Sequence, residues 1–313
     1  MRYISLIILA LSVLLSDSAH ATPVKDFEIV VSIKPIHSLV CALTKDIAHP
    51  KLLLNSNFSP HHFQVTPSQV RTMQKAKVII WIGPIYEKPL DRYLQKISAK
   101  ILHLQDNQKI KNLLKPLRSG TFWDSTSCCG NHDHAHENHN NLDGHIWLDP
   151  AIMLQVIDVV VEYLVKEYPE HKTKLEKNAA NYRKRLQQLH KDLLQKMAPY
   201  KGLTYIMQHD GNQYFDRAFA TQTIATISMD SKTPPSVGHM IKLRQGISSG
   251  AIKPKCLFSE RQLNSSLAKS YADVLKIKTG FLDYLGADVQ PGEYAYEQLM
   301  QAYVDLFIRG VKD

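Results

Sequence analysis

Residues 170–197 read EHKTKLEKNAANYRKRLQQLHKDLLQKM, a run without glycine or proline that Pro169 and Pro199 enclose. Proline breaks a helix interior but is tolerated at its start, so these two prolines mark the ends of one element. Apolar residues recur through the run at three- and four-residue steps: Leu175, Ala179, Tyr182, Leu186, Leu189, Leu193 and Met197. This spacing predicts one amphipathic helix, roughly 40 Å long at the usual rise per residue. We expect it to be a rigid link between two parts of the chain.

On both sides of this helix, short β-branched runs alternate with amphipathic stretches, a pattern typical of α/β proteins. Before it, the pattern predicts strands at 28–33, 51–54, 78–82 and 100–104, and helices at 35–48, 68–75, 87–97 and 152–166. After it, the pattern predicts strands at 204–208, 223–229, 256–259 and 276–283, and helices at 213–220, 236–248, 263–275 and 294–309. The predicted fold is therefore α/β with two lobes, each a parallel-type sheet flanked by helices, joined by one long rigid helix. A long surface helix within a single domain is the alternative.

The N-terminal 21 residues have the composition of a secretory signal. Arg2 supplies positive charge, residues 4–15 are apolar, and Ala19-His20-Ala21 has the small-x-small pattern of a cleavage site. The apolar run is short for a membrane span, and no cysteine at the cleavage point indicates a lipid anchor. We therefore expect an exported protein, with an uncleaved membrane anchor as the alternative. The predicted organisation is a signal peptide at 1–21, an N-terminal α/β lobe at 22–168 with a His-rich loop at 125–142, the linker helix at 169–198 and a C-terminal α/β lobe at 199–313.

The formal net charge of +9, from 38 Lys and Arg against 29 Asp and Glu, raises the question of nucleic acid. The lysines are instead scattered over helical faces among acidic residues, and no basic block is interleaved with aromatics, so we expect no nucleic-acid binding. Of the four cysteines, Cys41 and Cys256 lie in apolar segments and are predicted to be buried, inert thiols. The adjacent Cys128 and Cys129 could be soft metal ligands or a vicinal disulfide.

The fifteen histidines form two populations. Four crowd into NHDHAHENHNN at 131–141: His132, His134, His136 and His139. Three others, His61, His145 and His209, each fall on a predicted strand-to-helix loop, and Asp283 ends a predicted strand. Ligands of parallel sheets bind outside the carboxyl ends of the strands, so we expect these four side chains to converge on one metal. Imidazole is a common ligand for zinc-like metals, and the sequence thus predicts an ordered site plus a weaker one on the His-rich loop.

Four motifs follow one another along the chain: Ser59-Pro-His-His-Phe-Gln-Val-Thr-Pro-Ser68, Asp143-Gly-His-Ile-Trp-Leu-Asp-Pro150, His209-Asp-Gly-Asn-Gln-Tyr-Phe215 and Leu282-Asp283. In this order they resemble the ligand motifs of the periplasmic zinc-binding proteins of ABC importers. These proteins belong to the metal solute-binding proteins (cluster A-I), which also serve manganese and iron. Ala76-Lys-Val-Ile-Ile-Trp-Ile-Gly83 is similar to the family's apolar strand, and the His-rich loop occupies the position of its variable loop.

The resemblance implies that His61, His145 and His209 bind the metal and that Asp283 is the fourth ligand, directly or through water. Manganese-type members carry a carboxylate where His209 stands. Three imidazoles with at most one carboxylate suit four-coordinate zinc, whereas two carboxylates suit manganese. The resemblance further implies a monomeric, periplasmic, non-enzymatic protein that captures Zn²⁺ as its transported ligand in the inter-lobe cleft. It would deliver Zn²⁺ to an ABC transporter membrane permease with its cytoplasmic ATPase, and its affinity should fall below about pH 6.5 as the imidazoles protonate.

This chain departs from the family pattern at two positions. Pro60 stands where some zinc members have an acidic residue, so no carboxylate precedes His61. No cysteine follows Cys256, so the second-lobe disulfide of many zinc members should be absent.

Three alternatives remain open at the level of sequence. The first is a manganese- or iron-binding member of the same family, and the second is a periplasmic zinc buffer without a transporter. The third is a secreted zinc-dependent hydrolase, since three histidines with one open position also form catalytic zinc sites. Against the hydrolase, the chain has no His-Glu-x-x-His pair and no obvious glutamate beside a ligand as general base. His62 is predicted to lie at the surface or behind the ligands, and His37 and His239 to have core or surface roles.

Overall fold

The structure is a computed structural model that describes residues 28–54, 56–57, 59–123, 142–228, 234–263 and 265–312. The predicted signal peptide, Cys128, Cys129 and residues 131–141 with their four histidines lie outside these ranges. No helix in the described ranges combines the length and the apolar character that a membrane crossing needs.

The first sheet contains four parallel strands in the order β2-β1-β3-β4. The strands are β1 (Ile29–Val31), β2 (Lys51–Leu52), β3 (Val78–Trp81) and β4 (Lys100–His103). The helices that follow them are α1 (Lys34–Leu43), α2 (Pro67–Lys75), α3 (Lys88–Leu94) and the single turn α4 (Gln108–Lys111). β1 and β3 are buried along their whole length, as expected for β-branched strands covered on both faces. Helix α2 begins with a capping box in which Thr66 and Gln69 bond each other's backbone N–H groups.

The middle of the chain joins this sheet to the rest of the protein. β5 (Lys115–Pro116) and β6 (Leu142–Asp143) form an antiparallel pair, and helix α5 (Pro150–Glu167) follows. Helix α6 (Lys172–Met197) is the predicted long helix, and all seven residues of its apolar stripe are buried. The α-helix begins three residues later than the predicted linker, because Pro169 starts a separate 3-10 turn over Pro169–His171.

The second sheet is also parallel, with the order β10-β9-β7-β8. Its strands are β7 (Thr204–Met207), β8 (Gln222–Thr226), β9 (Leu257–Glu260) and β10 (Thr279–Leu282). Its helices are α7 (Gln213–Phe219), α8 (Val237–Ser248), α9 (Ser265–Leu275) and α10 (Ala295–Lys312). The predicted two-sheet α/β fold with a long connecting helix is therefore confirmed.

Several predicted elements were too long, and backbone conformation explains two of them. The helix predicted over 35–48 ends at Leu43, shortly before Asp46 takes the left-handed φ of 59°. The strand predicted over 276–283 starts only at Thr279, because Lys276 has a φ of 56° at the end of α9. Neither conformation can continue its element, since left-handed residues fit neither helix nor strand.

The two sheets share one hydrophobic core. Leu39 of α1, Leu186 of α6 and Phe307 of α10 belong to the same buried cluster, and a smaller cluster lies around Ile206 and Leu243. A second connection was not predicted from the sequence: after β5 the chain reaches the second sheet, where Phe122 O accepts a hydrogen bond from Thr226 N at 3.2 Å. The long helix is thus one of several contacts that fix the two sheets relative to each other.

We predict that Leu186→Ala lowers the free energy of unfolding by about 2–5 kcal/mol, because it leaves a cavity beneath α6. The control is Leu194→Ala in the same helix: Leu186 is 0% exposed and Leu194 is 39% exposed. The control should change stability by about 0.5 kcal/mol or less, as surface substitutions usually do. Urea denaturation followed by circular dichroism measures both. Equal losses of unfolding free energy in the two variants would show that the buried apolar stripe of α6 does not stabilise the core.

Candidate metal centre

The structure brings His61, His145 and His209 together in the cleft between the two sheets. His61 lies on the loop between β2 and α2, His145 follows β6, and His209 follows β7. One ligand nitrogen from each lies within 4.8 Å of the others, and Nε2 of His61 is 3.4 Å from Nε2 of His145. Two nitrogens bound to one tetrahedral zinc at its usual bond length are about 3.3 Å apart. The spacing of His61 and His145 therefore fits two ligands of one small ion, and the nitrogen of His209 lies within 4.8 Å of both.

A small cavity lies between the three rings. Its volume is about 10 Å³, close to the space that one water molecule or one ion fills. Nε2 of His209 is buried here and has no hydrogen-bond partner within the described part of the chain. A buried polar atom without a partner is costly, and a metal ion would satisfy it.

Asp143 orients the ring of His145. Its Oδ1 accepts a hydrogen bond from the backbone N of His145 at 2.9 Å and lies 2.7 Å from the ring Nδ1. Burial would raise the pKa of the Asp143 carboxyl, but the charge and hydrogen bonds of His145 outweigh it and lower this pKa. Because Nδ1 is held by a carboxylate, Nε2 is the nitrogen that faces the other histidines.

Glu260, at the end of β9, does the same for His209. Its Oε2 lies 2.5 Å from Nδ1 of His209, and its Oε1 accepts a hydrogen bond from the His209 backbone N at 3.1 Å. Burial would lower the pKa of His209, but the charge and hydrogen bond of Glu260 outweigh it and raise this pKa above its ordinary value of 6.5. The pKa of His61, which has no such carboxylate, is lowered well below 6.5 by burial and by its histidine neighbours.

Aromatic rings and one glycine close the sides of the site. Tyr86 lies edge-on to His61, with ring centroids 4.7 Å apart, and Tyr284 lies 5.3 Å from His145. A Cβ on Gly211 would lie 2.9 Å from Cε1 of His209 and 3.0 Å from Nε2 of His145. Only glycine lets this backbone approach both rings, so the rings have little room to turn away from each other.

Asp283, the fourth expected ligand, lies outside this group of three. Its Oδ1 accepts hydrogen bonds from Gln262 Nε2 at 2.9 Å and from Leu285 N at 3.1 Å, and its Oδ2 accepts one from Ala287 N at 2.7 Å. The carboxylate is therefore engaged with its own loop rather than with the imidazoles.

Sequence reasoning missed the residues that hold the ligands in place. Glu260 contacts His209 although 51 residues separate them, and no motif in the sequence indicated this contact. Asp143 could have been found from its position two residues before His145. Glu260 offered only a weaker signal, an acidic residue at the end of a strand whose neighbour in the sheet carries a ligand.

His37 and His239 are buried, as expected for core roles, and Cys256 is buried as predicted, whereas Cys41 is only half-buried. Nε2 of His37 lies 2.9 Å from Pro50 O, and Nε2 of His239 lies 2.7 Å from Thr226 O. Cys41 and Cys256 are free thiols, and burial raises the pKa of each to about 12, so both are protonated and unreactive.

Comparison with known protein families gives a match over almost the whole described chain. The family of the periplasmic component A of the zinc-uptake complex, ZnuA, matches residues 29–310. The high-affinity zinc uptake system protein ZnuA of Brucella abortus (strain 2308) is 30% identical over 304 residues, which cover 87% of this chain and 88% of that protein. The protein of the same name from Haemophilus ducreyi is 28% identical and covers 91% of this chain and 94% of its own.

Solved structures show the same fold. A crystal structure of ZnuA superposes with a TM-score of 0.70, at 20% sequence identity, over 91% of this chain and 98% of that chain.

We predict that Glu260→Gln lowers the pKa of His209 in the metal-free protein. The amide removes the negative charge that favours the imidazolium, and burial then acts with less opposition. Titration of the imidazole signals by NMR measures the change. The control is Glu87→Gln, because Glu87 is also buried, with its pKa raised to about 7 by burial, but bonds Ser32 and Gly83 instead. An unchanged His209 titration in Glu260→Gln would contradict the role given to this carboxylate.

Proposed function

The chain belongs to the ZnuA family of periplasmic zinc-uptake components, and from this premise we propose that it captures Zn²⁺ with His61, His145 and His209 and delivers it to an ABC-type membrane permease. Members of this family are substrate-binding transport proteins, not enzymes. The observation that carries the proposal is the convergence of three imidazoles, those of His145 and His209 buried and that of His61 half-buried, on a cavity the size of one ion.

The donor set favours zinc over manganese and iron. All three nitrogen donors come from imidazole, and the two carboxylates nearest the cavity, Asp143 and Glu260, contact the outer ring nitrogens. Nitrogen-rich, four-coordinate sites suit zinc, whereas manganese favours oxygen donors. Carboxylates that accept from the outer nitrogen also strengthen an imidazole as a ligand.

The fourth coordination position is best suited to a water molecule. Three protein ligands plus one exchangeable position would let zinc leave more readily than a closed four-residue site. The hydrogen bonds that Asp283 already accepts from Leu285 and Ala287 support this arrangement over a direct carboxylate ligand.

Delivery requires that the cleft open, and the shared core limits how far. Helix α6 packs against α1, α5 and α10, so small tilts and loop movements are expected instead of a wide hinge. His132, His134, His136 and His139 would bind zinc more weakly and raise its local concentration near the cleft. We further propose that the protein acts as a monomer in the periplasm after removal of residues 1–21.

Competitive titration of the metal-free protein with zinc, manganese and iron(II) tests the capture step. We expect one tight zinc per chain, and a loss of affinity of about 100-fold or more in His61→Ala, which removes a direct ligand. The neighbouring His62→Ala is the matched control and should bind zinc like the wild type. Tight manganese with weak zinc, or equal behaviour of the two variants, would overturn the assignment.

Delivery is tested by zinc uptake in cells. Deletion of the protein should reduce uptake at limiting zinc, and wild type but not His209→Ala should restore it. A periplasmic zinc buffer would behave differently: its deletion would lower tolerance of excess zinc and leave uptake unchanged. That second result would support the site but contradict delivery to a permease.

A further inference from the structure

A buried lysine crosses the cleft near the metal centre. Lys34 is the first residue of α1, on the side of the first sheet, and is only 4% exposed. Its Nζ donates hydrogen bonds to Gly286 O and to Val289 O, the latter at 2.6 Å. Both carbonyls belong to the loop that follows β10 of the second sheet. A buried ammonium without partners is costly, and the two carbonyls satisfy this one. The same two bonds connect the two sides of the cleft.

The same loop is held from its other side by Asp283. We call residues 283–289 the Tyr284 loop. Asp283 accepts from the backbone N–H groups of Leu285 and Ala287, and Gln262, which bonds Asp283, also donates to Ser56 O across the cleft at 3.0 Å. The N–H groups of the loop thus face Asp283, and two of its carbonyls face Lys34.

The position of this loop matters to the ligands because it carries Tyr284. The ring of Tyr284 lies 5.3 Å from that of His145 and 5.7 Å from that of His209. The carbonyl of Tyr284 accepts a hydrogen bond from Trp147 Nε1 at 2.9 Å. If the Tyr284 loop moved away, one wall of the cavity would move with it.

We propose that Lys34 is a positioning residue that holds the Tyr284 loop against the metal centre from the opposite side of the cleft and thereby slows the departure of zinc. This inference rests on the proposed function. Opening of the cleft must break both carbonyl bonds of Lys34 at once, since the lysine and the loop stand on different sheets. Loss of the ammonium leaves the loop held by Asp283 but no longer attached across the cleft by Lys34.

A matched control lies close to Lys34 in the sequence. Lys45 forms an ion pair with Glu293, near the start of α10, at 2.9 Å. The Lys45 side chain is 50% exposed, and the pair does not touch the Tyr284 loop. An exposed pair of this kind contributes little, whereas a buried charged hydrogen bond contributes several times more.

Zinc release distinguishes Lys34→Met from Lys45→Met. After a strong chelator is added to the zinc-loaded protein, we expect Lys34→Met to release zinc about ten-fold faster or more, the effect of one charged hydrogen bond. Its association rate should stay within about two-fold of the wild type, since interface changes act mainly on dissociation. Lys45→Met should match the wild type in both rates. A dissociation rate for Lys34→Met equal to that of the wild type, with the metal-free variant folded, would overturn the inference.

Two further measurements keep the outcome unambiguous. Asp283→Ala combined with Lys34→Met should release zinc faster than either single variant, because Asp283 still holds the loop when the ammonium is lost; a double variant no faster than Asp283→Ala alone would mean that Lys34 does not hold this loop and would overturn the inference. If Lys34→Met does not fold, Lys34→Gln, which keeps a neutral donor, is measured by the same criteria. Failure of the wild type to bind zinc tightly would instead contradict the proposed function.

Discussion

Two buried carboxylates orient two of the three histidine rings at the candidate metal centre. Asp143 and Glu260 each contact the Nδ1 of one histidine and accept from the backbone N–H of the same residue. Each carboxylate therefore restrains the direction of its ring, and Nε2 of His145 faces Nε2 of His61. Without these contacts, the three imidazoles in the apolar cleft could bond other groups and would not point toward one common position.

The fold supplies the places from which these side chains converge. Both sheets are parallel and direct the carboxyl ends of their strands toward the cleft, where the loops with His61, His209 and Glu260 begin. The continuous core under α1, α6 and α10 limits how far the two edges can separate. The positions of the metal-centre side chains relative to one another therefore depend on the core that the two sheets share.

Much of this arrangement could be predicted from the sequence, and the failures have physical reasons. The seven-residue stripe of α6 is a local pattern, and so its helix and its buried face were correctly predicted. The three histidines were found because each lies in a distinctive loop, and the structure brings them together. Asp283 shows the limit of sequence reasoning. A carboxylate at the end of a strand gives the same sequence pattern whether it binds a metal or accepts from the N–H groups of its own loop. Glu260 was missed because its contact with His209 is long-range and leaves no periodic signal.

The pairing of β5 with β6 also bears on how this chain can vary. Lys115 pairs with Asp143, so β5 and β6 hold together the two ends of the segment that contains the His-rich residues. This pairing lies two residues before His145. The entropy lost on closing a loop grows only with the logarithm of its length, about 0.6 kcal/mol for each doubling. The number of residues between 123 and 142 can therefore change at little cost in loop-closure entropy. A change in the length of this connection would leave the candidate metal centre, which the described residues build, in place.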